Sequence, residues 1–499
     1  MESLGSPKAR RGAAALIVAL VLLAHVAGAT TLAWVRMPQS DEGHFANAGY
    51  ELAYHQRLAM PMWTAWVSSL DRHMYVQMPL YYVQLAPWIR LFGFDLRTVR
   101  LNSVLWGVVF LMAWYVTVHR VSQDRFTALL GVALIGLHYD VMNMTSARYD
   151  VMCAALSAAG VASYLAWREE HLGRAVLVGN AALAAALLTH PFGIFGLLGF
   201  VLFFAVLDIR RLSWSVALAA AVPYVVGFGA WGLYILQAPT EFRDQIAANA
   251  QGRLAALSQP VDLLIREIRE RYLIRYAGWR SDVPLMMRMK ILFLLAYVAG
   301  VLGCLLTPRL RRDRRVMALV LWGALSFALL AVADSHRWYI YLLHVIPIFV
   351  AVLATWSGAL VKRGSGFRYL VLTAMVGWVL FSAATVIFRA RLDDFDQLYR
   401  PTLSYLQKHV HDGQLVFAGG EFGPGLGFRK HVLDDMAFHG ETMPDWIVFD
   451  KAHDERMEYW ARAQPEQYRH MQERLAGYEL VLDNRQPYNY YRVYRRAGR

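Results

Sequence analysis

Apolar residues in this chain fall into long runs, broken by short loops in which arginine is the recurring polar residue. The runs reach or approach the roughly 20 residues that a helix needs to cross a bilayer. They predict eleven spans, at 13–35, 98–119, 124–139, 150–167, 174–189, 192–208, 213–237, 289–307, 316–333, 338–359 and 368–389. Lys8, Arg10 and Arg11 precede the first run, and Ala27-Gly28-Ala29 resembles a signal-peptide cleavage site. That run is longer than a signal core and more spans follow, so it reads as a retained first helix with a cytoplasmic N-terminus.

Loop charge tests the count. Loops assigned to the inside carry Arg120 and Arg125, Arg168 and Arg174, Arg210 and Arg211, the cluster Arg309, Arg311, Arg312, Arg314 and Arg315, and then Lys362, Arg363 and Arg368. Short loops assigned to the outside carry little beyond Arg148 and Arg337. The parity follows the rule that cytoplasmic loops are rich in Lys and Arg. An odd number of spans then places the C-terminal tail outside.

Three outer segments are too long to be connectors. Residues 36–96 mix Trp63, Trp66, Tyr75, Tyr81, Tyr82 and Trp88 with Leu and Met, which suits short helices in the membrane interface. Residues 238–288 contain DLLIREIRERYLIRYAGW, where Leu263, Leu264, Ile268, Tyr272 and Ile274 recur at helical spacing and predict an amphipathic helix. The tail, 391–499, reads as a soluble α/β domain. It has a helix near 396–411, strands at 414–419 and 445–450, a helix within 452–476, and a final strand pair at 479–483 and 491–495. Its GGEFGPGLG stretch lacks dinucleotide or P-loop spacing and reads as a flexible turn. The expected fold is therefore an all-α polytopic membrane domain of about eleven transmembrane helices, 1–390, followed by a small soluble α/β domain.

Composition agrees: 57% of residues are hydrophobic, 17% are charged and the mean hydropathy is +0.32, against about 25% charge in soluble domains. A net charge of +13 would suggest nucleic acid in a soluble protein. Here much of the excess lies in loops between spans, so membrane lipid is the expected partner and nucleic acid is not. Cys153 and Cys304 both fall inside predicted spans, where thiols are packing residues rather than a disulfide or metal pair.

The predicted orientation brings many of the polar residues at helix ends to one face. Asp41 and Glu42, Arg72 and His73, His138 and Asp140, Arg148 and Asp150, His190, Asp334, His336, Arg337 and Tyr339 all lie outside. Ionisable groups at membrane depth are costly and mark cavities or pairs, so a shared outward-facing site is expected. Each residue also has a plainer reading. Asp41 and Glu42 suit the first turn of a helix capped by Ser40, or a general base with its neighbour as orienter or metal ligand. Arg148 and Asp150 suit an interfacial ion pair. Arg337 suits an anchor or a bidentate phosphate clamp, and His190, before Pro191, suits a structural junction. His439 is expected to be exposed, and Asn143-Met144-Thr145 would be a glycosylation sequon in a secretory lumen.

The order of these features resembles the GT-C superfamily of integral-membrane glycosyltransferases, especially glycosyltransferase family 39. Relatives there include the protein O-mannosyltransferases and the bacterial transferase that adds aminoarabinose to lipid A. The resemblance rests on Asp41-Glu42 in the first outer loop, MPLYYVQL with Tyr81 and Tyr82, Arg100-Leu101-Asn102-Ser103 opening the second span, Ala147-Arg148-Tyr149-Asp150, Thr189-His190-Pro191, and HRWYIYLLHVIP from His336. It covers roughly residues 14–390. Gln77-Met78 stand where family members often have Lys-Pro or His-Pro, so Arg72 or His73 would take over a basic contact.

The resemblance implies an inverting transferase that moves a hexosyl or pentosyl group from a polyprenyl-phosphate-linked donor to a hydroxyl of a lipid, glycan or protein. It implies that Asp41 is the base and that Glu42 orients the site or holds a divalent cation. Arg337, with His336 or Arg148, would stabilise the leaving phosphate. Tyr81, Tyr82, Asp150, His190 and Tyr339 would line the substrate site. A bacterial inner membrane with a periplasmic site is the expected location. Still open are a ligase of a whole glycan, a glycolipid flippase, although the internal repeat that transporters usually show is not apparent, and a non-catalytic scaffold whose tail binds a partner.

Overall fold

The computed structural model describes residues 7–144, 148–250, 260–279, 285–428, 432–434 and 442–498. Among them, eight helices are long and apolar enough to cross a membrane: Gly12–Val35, Leu96–Ser122, Asp150–Trp167, Leu172–Thr189, Trp214–Ile235, Arg314–Ala333, Tyr339–Val361 and Gly366–His409. Three shorter apolar helices, Arg125–Gly136, Pro191–Leu207 and Ile291–Leu306, occupy the other predicted spans. The shortfall in length has local causes. Asp124 caps the start of the first of these by accepting from the Thr127 amide. Pro191 opens the second as a 3-10 turn.

The segment after the first helix folds as expected into short pieces. Helix α1 (Pro7–Val35) is followed by α2 (Ser40–His55), two 3-10 turns at Pro61–Trp63 and Ser68–Asp71, and α3 (Leu80–Phe92). The amphipathic segment departs from its expected face. It is helical over Pro260–Arg266 and then widens to i→i+5 bonding over Glu267–Tyr276. Extra residues per turn rotate the face. Leu263 and Tyr272 are buried as predicted, while Leu264 and Ile268 are exposed and the inward positions go to Glu267 and Arg271.

The tail holds a five-stranded mixed sheet in the order β2-β1-β3-β5-β4, with β1 Val416–Phe417, β2 Val432–Leu433, β3 Trp446–Asp450, β4 Tyr478–Arg485 and β5 Tyr490–Arg496. Strand β1 is parallel to β2 and β3, and β5 is antiparallel to β3 and β4. The short β2 was not predicted. Strand alternation gives the sheet two apolar faces. Phe417, Ile447 and Phe449 pack with Met457, Trp460 and Met471 of the helices Lys451–Ala463 and Pro465–Leu475. Val416, Trp446 and Val448 point the other way and share a core with Phe45, Ala46 and Ala48 of α2.

The glycine-rich stretch is not a flexible turn. Gly420–Phe422 forms a 3-10 turn, Gly423–Leu426 one helical turn, and Phe422 is fully buried. Gly43 of α2 meets the backbone of Gly420 so closely that a Cβ on Gly43 would overlap the Gly420 carbonyl oxygen. Glycine is needed here for close approach of two backbones. His439 and residues 145–147 of the motifs above lie outside the described residues.

Candidate active site

Helix α2 begins four residues after α1 ends, so its first turn sits where the chain leaves the bundle. Its N-cap is Gln39, extended at φ −106° and without a side-chain cap bond. Ser40 is therefore not the cap. Its hydroxyl donates instead to Asp434 Oδ2 at 2.7 Å and accepts from the Gly420 amide at 3.0 Å. Both acids of the first turn complement the helix dipole, but they face different ways.

Glu42 faces inward and is completely buried. Its Oε1 accepts from Arg36 Nη2 at 2.7 Å and its Oε2 from Arg100 Nε at 2.6 Å. Arg100 also donates to the Ala33 carbonyl at 2.7 Å, and Arg36 to that of Asn143. Burial pushes the Glu42 carboxyl up, and Arg100 with Arg36 outweighs it, so the group is held below the usual range. These bonds tie the end of α1, the start of α2 and the Leu96–Ser122 helix together. Both Glu42 oxygens are taken by guanidinium groups, and no group of three or more His, Cys, Asp or Glu side chains among the described residues is placed to hold a metal. The donor set does not fit a divalent ion at Glu42.

Asp41 faces outward, with its side chain 50% exposed. Its Oδ2 is ion-paired with Nη1 of Arg148, which is buried. Its Oδ1 lies 3.9 Å from His44 Nδ1, one helical turn on. Arg148 also donates from Nε to Asp150 Oδ2 at 2.8 Å, and its guanidinium lies 5.2 Å from the Phe45 ring centroid. Burial works against ionisation of Asp41, but Arg148 and then His44 hold its carboxyl far below the usual range. The His44 imidazole is held by Asp434, its Nε2 2.5 Å from Oδ2. Burial disfavours its charged form, but Asp434 and Asp41 raise it to about 9.

Tyr81 and Tyr82 of α3 are fully buried with their rings edge to face at 5.4 Å. The Tyr82 hydroxyl has no hydrogen-bond partner among the described residues and lies within electrostatic reach of Arg148, Asp41 and Asp150. His190 packs among aromatic rings. Its ring stacks on Tyr149 at 4.5 Å and on Tyr341 at 5.9 Å, and Nδ1 accepts from the Phe192 amide at 3.2 Å. It builds the wall behind Arg148.

Other predicted members belong to separate constellations. His138 caps a short helix by accepting from the Asp140 amide, while Asp140 pairs with Lys290 at 2.6 Å. Arg337, expected as a phosphate clamp, is locked in the protein. It sits in left-handed backbone at φ 58°. Nη1 donates to the carbonyls of Ala331 at 2.8 Å and Asp334 at 3.0 Å, and Nε lies 3.4 Å from Glu267. Arg271 completes that network through Glu267 at 2.5 Å and Asp334 at 2.8 Å. The four residues pin the outer amphipathic segment to the end of Arg314–Ala333. His336 is half exposed beside Asp334, and Tyr339 stands within electrostatic reach of Arg36, Lys290 and Arg389.

Arg72 and His73 both bind Glu241, at 2.9 and 3.0 Å. They line a cavity of about 550 Å³ with Arg57, Leu80, Leu188 and Trp231. Leu52 and Gln56 of α2 also line it. At 1.5 Å per residue those two lie about 16 and 22 Å along the helix from Asp41. The cavity and the carboxylate pair are thus distinct places.

The sequence reading missed His44, Asp434, Arg36, Lys290, Glu267 and Arg271. The position of His44 three residues after Asp41 was a usable signal, because side chains so spaced share a helix face.

The fold, a helical membrane bundle with a carboxylate-bearing helix after its first span and a C-terminal mixed sheet, is shared with solved structures. ArnT from Cupriavidus metallidurans, bound to undecaprenyl phosphate, matches with a TM-score of 0.56 over 97% of this chain and 98% of that one, at 14% identity. Its apo state matches at 0.58 and 15% identity with the same coverage. The apo oligosaccharyltransferase of Archaeoglobus fulgidus matches at 0.50 and 12% identity, over 79% of this chain and 58% of that one. At such identities the fold is what is shared. No protein-family model matches the sequence, and no curated protein is similar to it.

Proposed function

We propose that the chain is an inverting glycosyltransferase of a bacterial inner membrane, working at the outer face on a polyprenyl-phosphate-linked sugar. One observation carries the reading. Of the three carboxylates around Arg148 and Arg100, Asp41 is half exposed while Glu42 and Asp150 are sealed at 0%. A carboxylate open to an incoming hydroxyl, held ionised by a buried arginine, is the group such a transfer needs. The shared fold supports the reading, since one of the matched structures holds undecaprenyl phosphate. Lipid-linked sugars are the donors on hand where nucleotide sugars are absent, and the loop charges support an outward-facing site.

In this mechanism the acceptor hydroxyl donates a hydrogen bond to Asp41 and attacks the anomeric carbon. The new C–O bond forms as the bond from that carbon to the phosphate oxygen breaks, on the opposite face, which inverts the configuration. The hydroxyl proton passes to Asp41, and the polyprenyl phosphate leaves with the electron pair. A carboxylate held low is a weak base. It suffices here because the attacking oxygen becomes strongly acidic once it bonds to carbon. The donors available for the charge that develops on phosphate are Arg148 and the unpartnered Tyr82 hydroxyl. The cavity flanking α3, with Leu80, Leu188 and Trp231 on its walls, takes the apolar part of an amphiphilic substrate. The acceptor is a hydroxyl of a lipid, glycan or protein.

The test is transfer by the full chain in lipid nanodiscs, using undecaprenyl-phosphate-linked sugars and hydroxyl acceptors. Asp41→Asn is expected to lower transfer about 10²–10⁴-fold. Full transfer by that variant would overturn the assignment, and movement of the donor lipid across the bilayer without transfer would make the chain a flippase.

A further inference from the structure

We propose that Asp434, carried by the C-terminal tail onto α2, is a positioning residue that aims Asp41 through His44, so that the outer domain completes the reaction centre. The proposal rests on the role given to Asp41 above. Asp434 lies 390 residues from His44 in sequence, yet its carboxylate meets the imidazole at 2.5 Å, with both side chains 4% exposed. The imidazole stands between two carboxylates, Nε2 on Asp434 and Nδ1 3.9 Å from Asp41. Nδ1 is itself buried and makes no hydrogen bond among the described residues. A small rotation of Asp41 would close that gap.

The arrangement divides the Asp41 carboxylate between two cations. Arg148 takes Oδ2 and the His44 ring faces Oδ1. Two anchors on different oxygens fix the plane of the group, and so the direction from which a hydroxyl approaches. Reaction rates are sensitive to such orientation. Asp434 keeps the imidazole charged and stops it turning away. Ser40, through its bond to the same Asp434 oxygen, and the Trp63 ring, 4.4 Å from His44, brace the contact. The charged groups facing His44 are Asp41 on its own helix and Asp434 from the tail, and behind Asp434 stand Glu421 and His453.

Variants of the full chain test this, with transfer kinetics and NMR of the His44 ring in nanodiscs. Asp434→Asn keeps the shape of the side chain and is expected to lower kcat at least tenfold with KM unchanged. His44→Gln should cost as much, and the double variant no more than either alone. Asp483→Asn, which removes an exposed ion pair of the tail with Arg485, is the control and should leave kcat within about twofold. The NMR midpoint of His44 should fall by at least one pH unit in Asp434→Asn and also fall in Asp41→Asn. Losses that multiply in the double variant, an equal loss in Asp483→Asn, or a His44 midpoint indifferent to Asp41→Asn would each overturn the proposal. If Asp41→Asn is inactive while Asp434→Asn matches the parent, this proposal fails and the catalytic reading stands. If Asp41→Asn is fully active, the catalytic reading fails as well.

Discussion

The Glu42 carboxylate meets the Arg100 guanidinium at 2.6 Å with neither side chain exposed, while its sequence neighbour Asp41 opens to solvent. One adjacent pair of acids therefore does two different jobs. Removing one partner of a buried ion pair costs about 3–5 kcal/mol, because the charge left behind is uncompensated. Glu42→Gln is expected to lower the thermal unfolding midpoint of the purified protein sharply, and chelators to leave transfer unchanged.

Arg148 sets the charge of Asp41. A carboxyl with a depressed pKa contributes its ionised form above that pKa and loses it only as pH falls through it. In the parent protein the acid limb of the pH–rate profile should therefore not belong to Asp41 anywhere between pH 4 and pH 8. In Arg148→Gln the principal cation is gone, and an acid limb should emerge near the ordinary carboxylate value of about 4. A rate profile over that range checks it.

His44 behaves in the opposite sense. Its raised value, about 9, means its ion pair with Asp434 stabilises the fold fully below the unfolded value of about 6.5. That contribution is lost as pH rises through 9. The difference in unfolding midpoint between the parent and Asp434→Asn should be large at pH 6 and shrink by pH 10, a trend that thermal scans across pH would show.

Gly43 and Gly420 touch through backbone, so a methyl has nowhere to go. Gly43→Ala is expected to cost at least the roughly 1–3 kcal/mol of an overpacked core, and to loosen the tail from α2. Limited proteolysis near 410–430 should become faster in that variant.

Tyr82 buries a hydroxyl without a partner, which costs about 1–3 kcal/mol. Tyr82→Phe should therefore unfold at the same temperature or higher while transferring more slowly. Lower stability with full activity would show that the hydroxyl serves the fold instead.

The positions of the spans and most tail strands were legible because each depends on local periodicity. Arg337 illustrates the limit. Its type and place suited a phosphate clamp, yet Glu267 and two carbonyls occupy it, and Glu267 comes from a helix whose widened turns no apolar spacing announces. Asp434 was equally hidden, since nothing near it in sequence marks a contact made 390 residues away. Glu42 could be placed but not aimed: whether an acid in a first turn faces arginines or water is settled by neighbouring helices.

The joint between Gly420 and the first turn of α2 also has a consequence for synthesis. A chain made from its N-terminus presents α2 long before the segment that covers it exists. Through the insertion of every later span, the surface of α2 that receives the tail stays bare, with Ser40, Gly43 and His44 waiting. An unfinished chain therefore carries Asp41 and His44 without the Asp434 contact made 390 residues later.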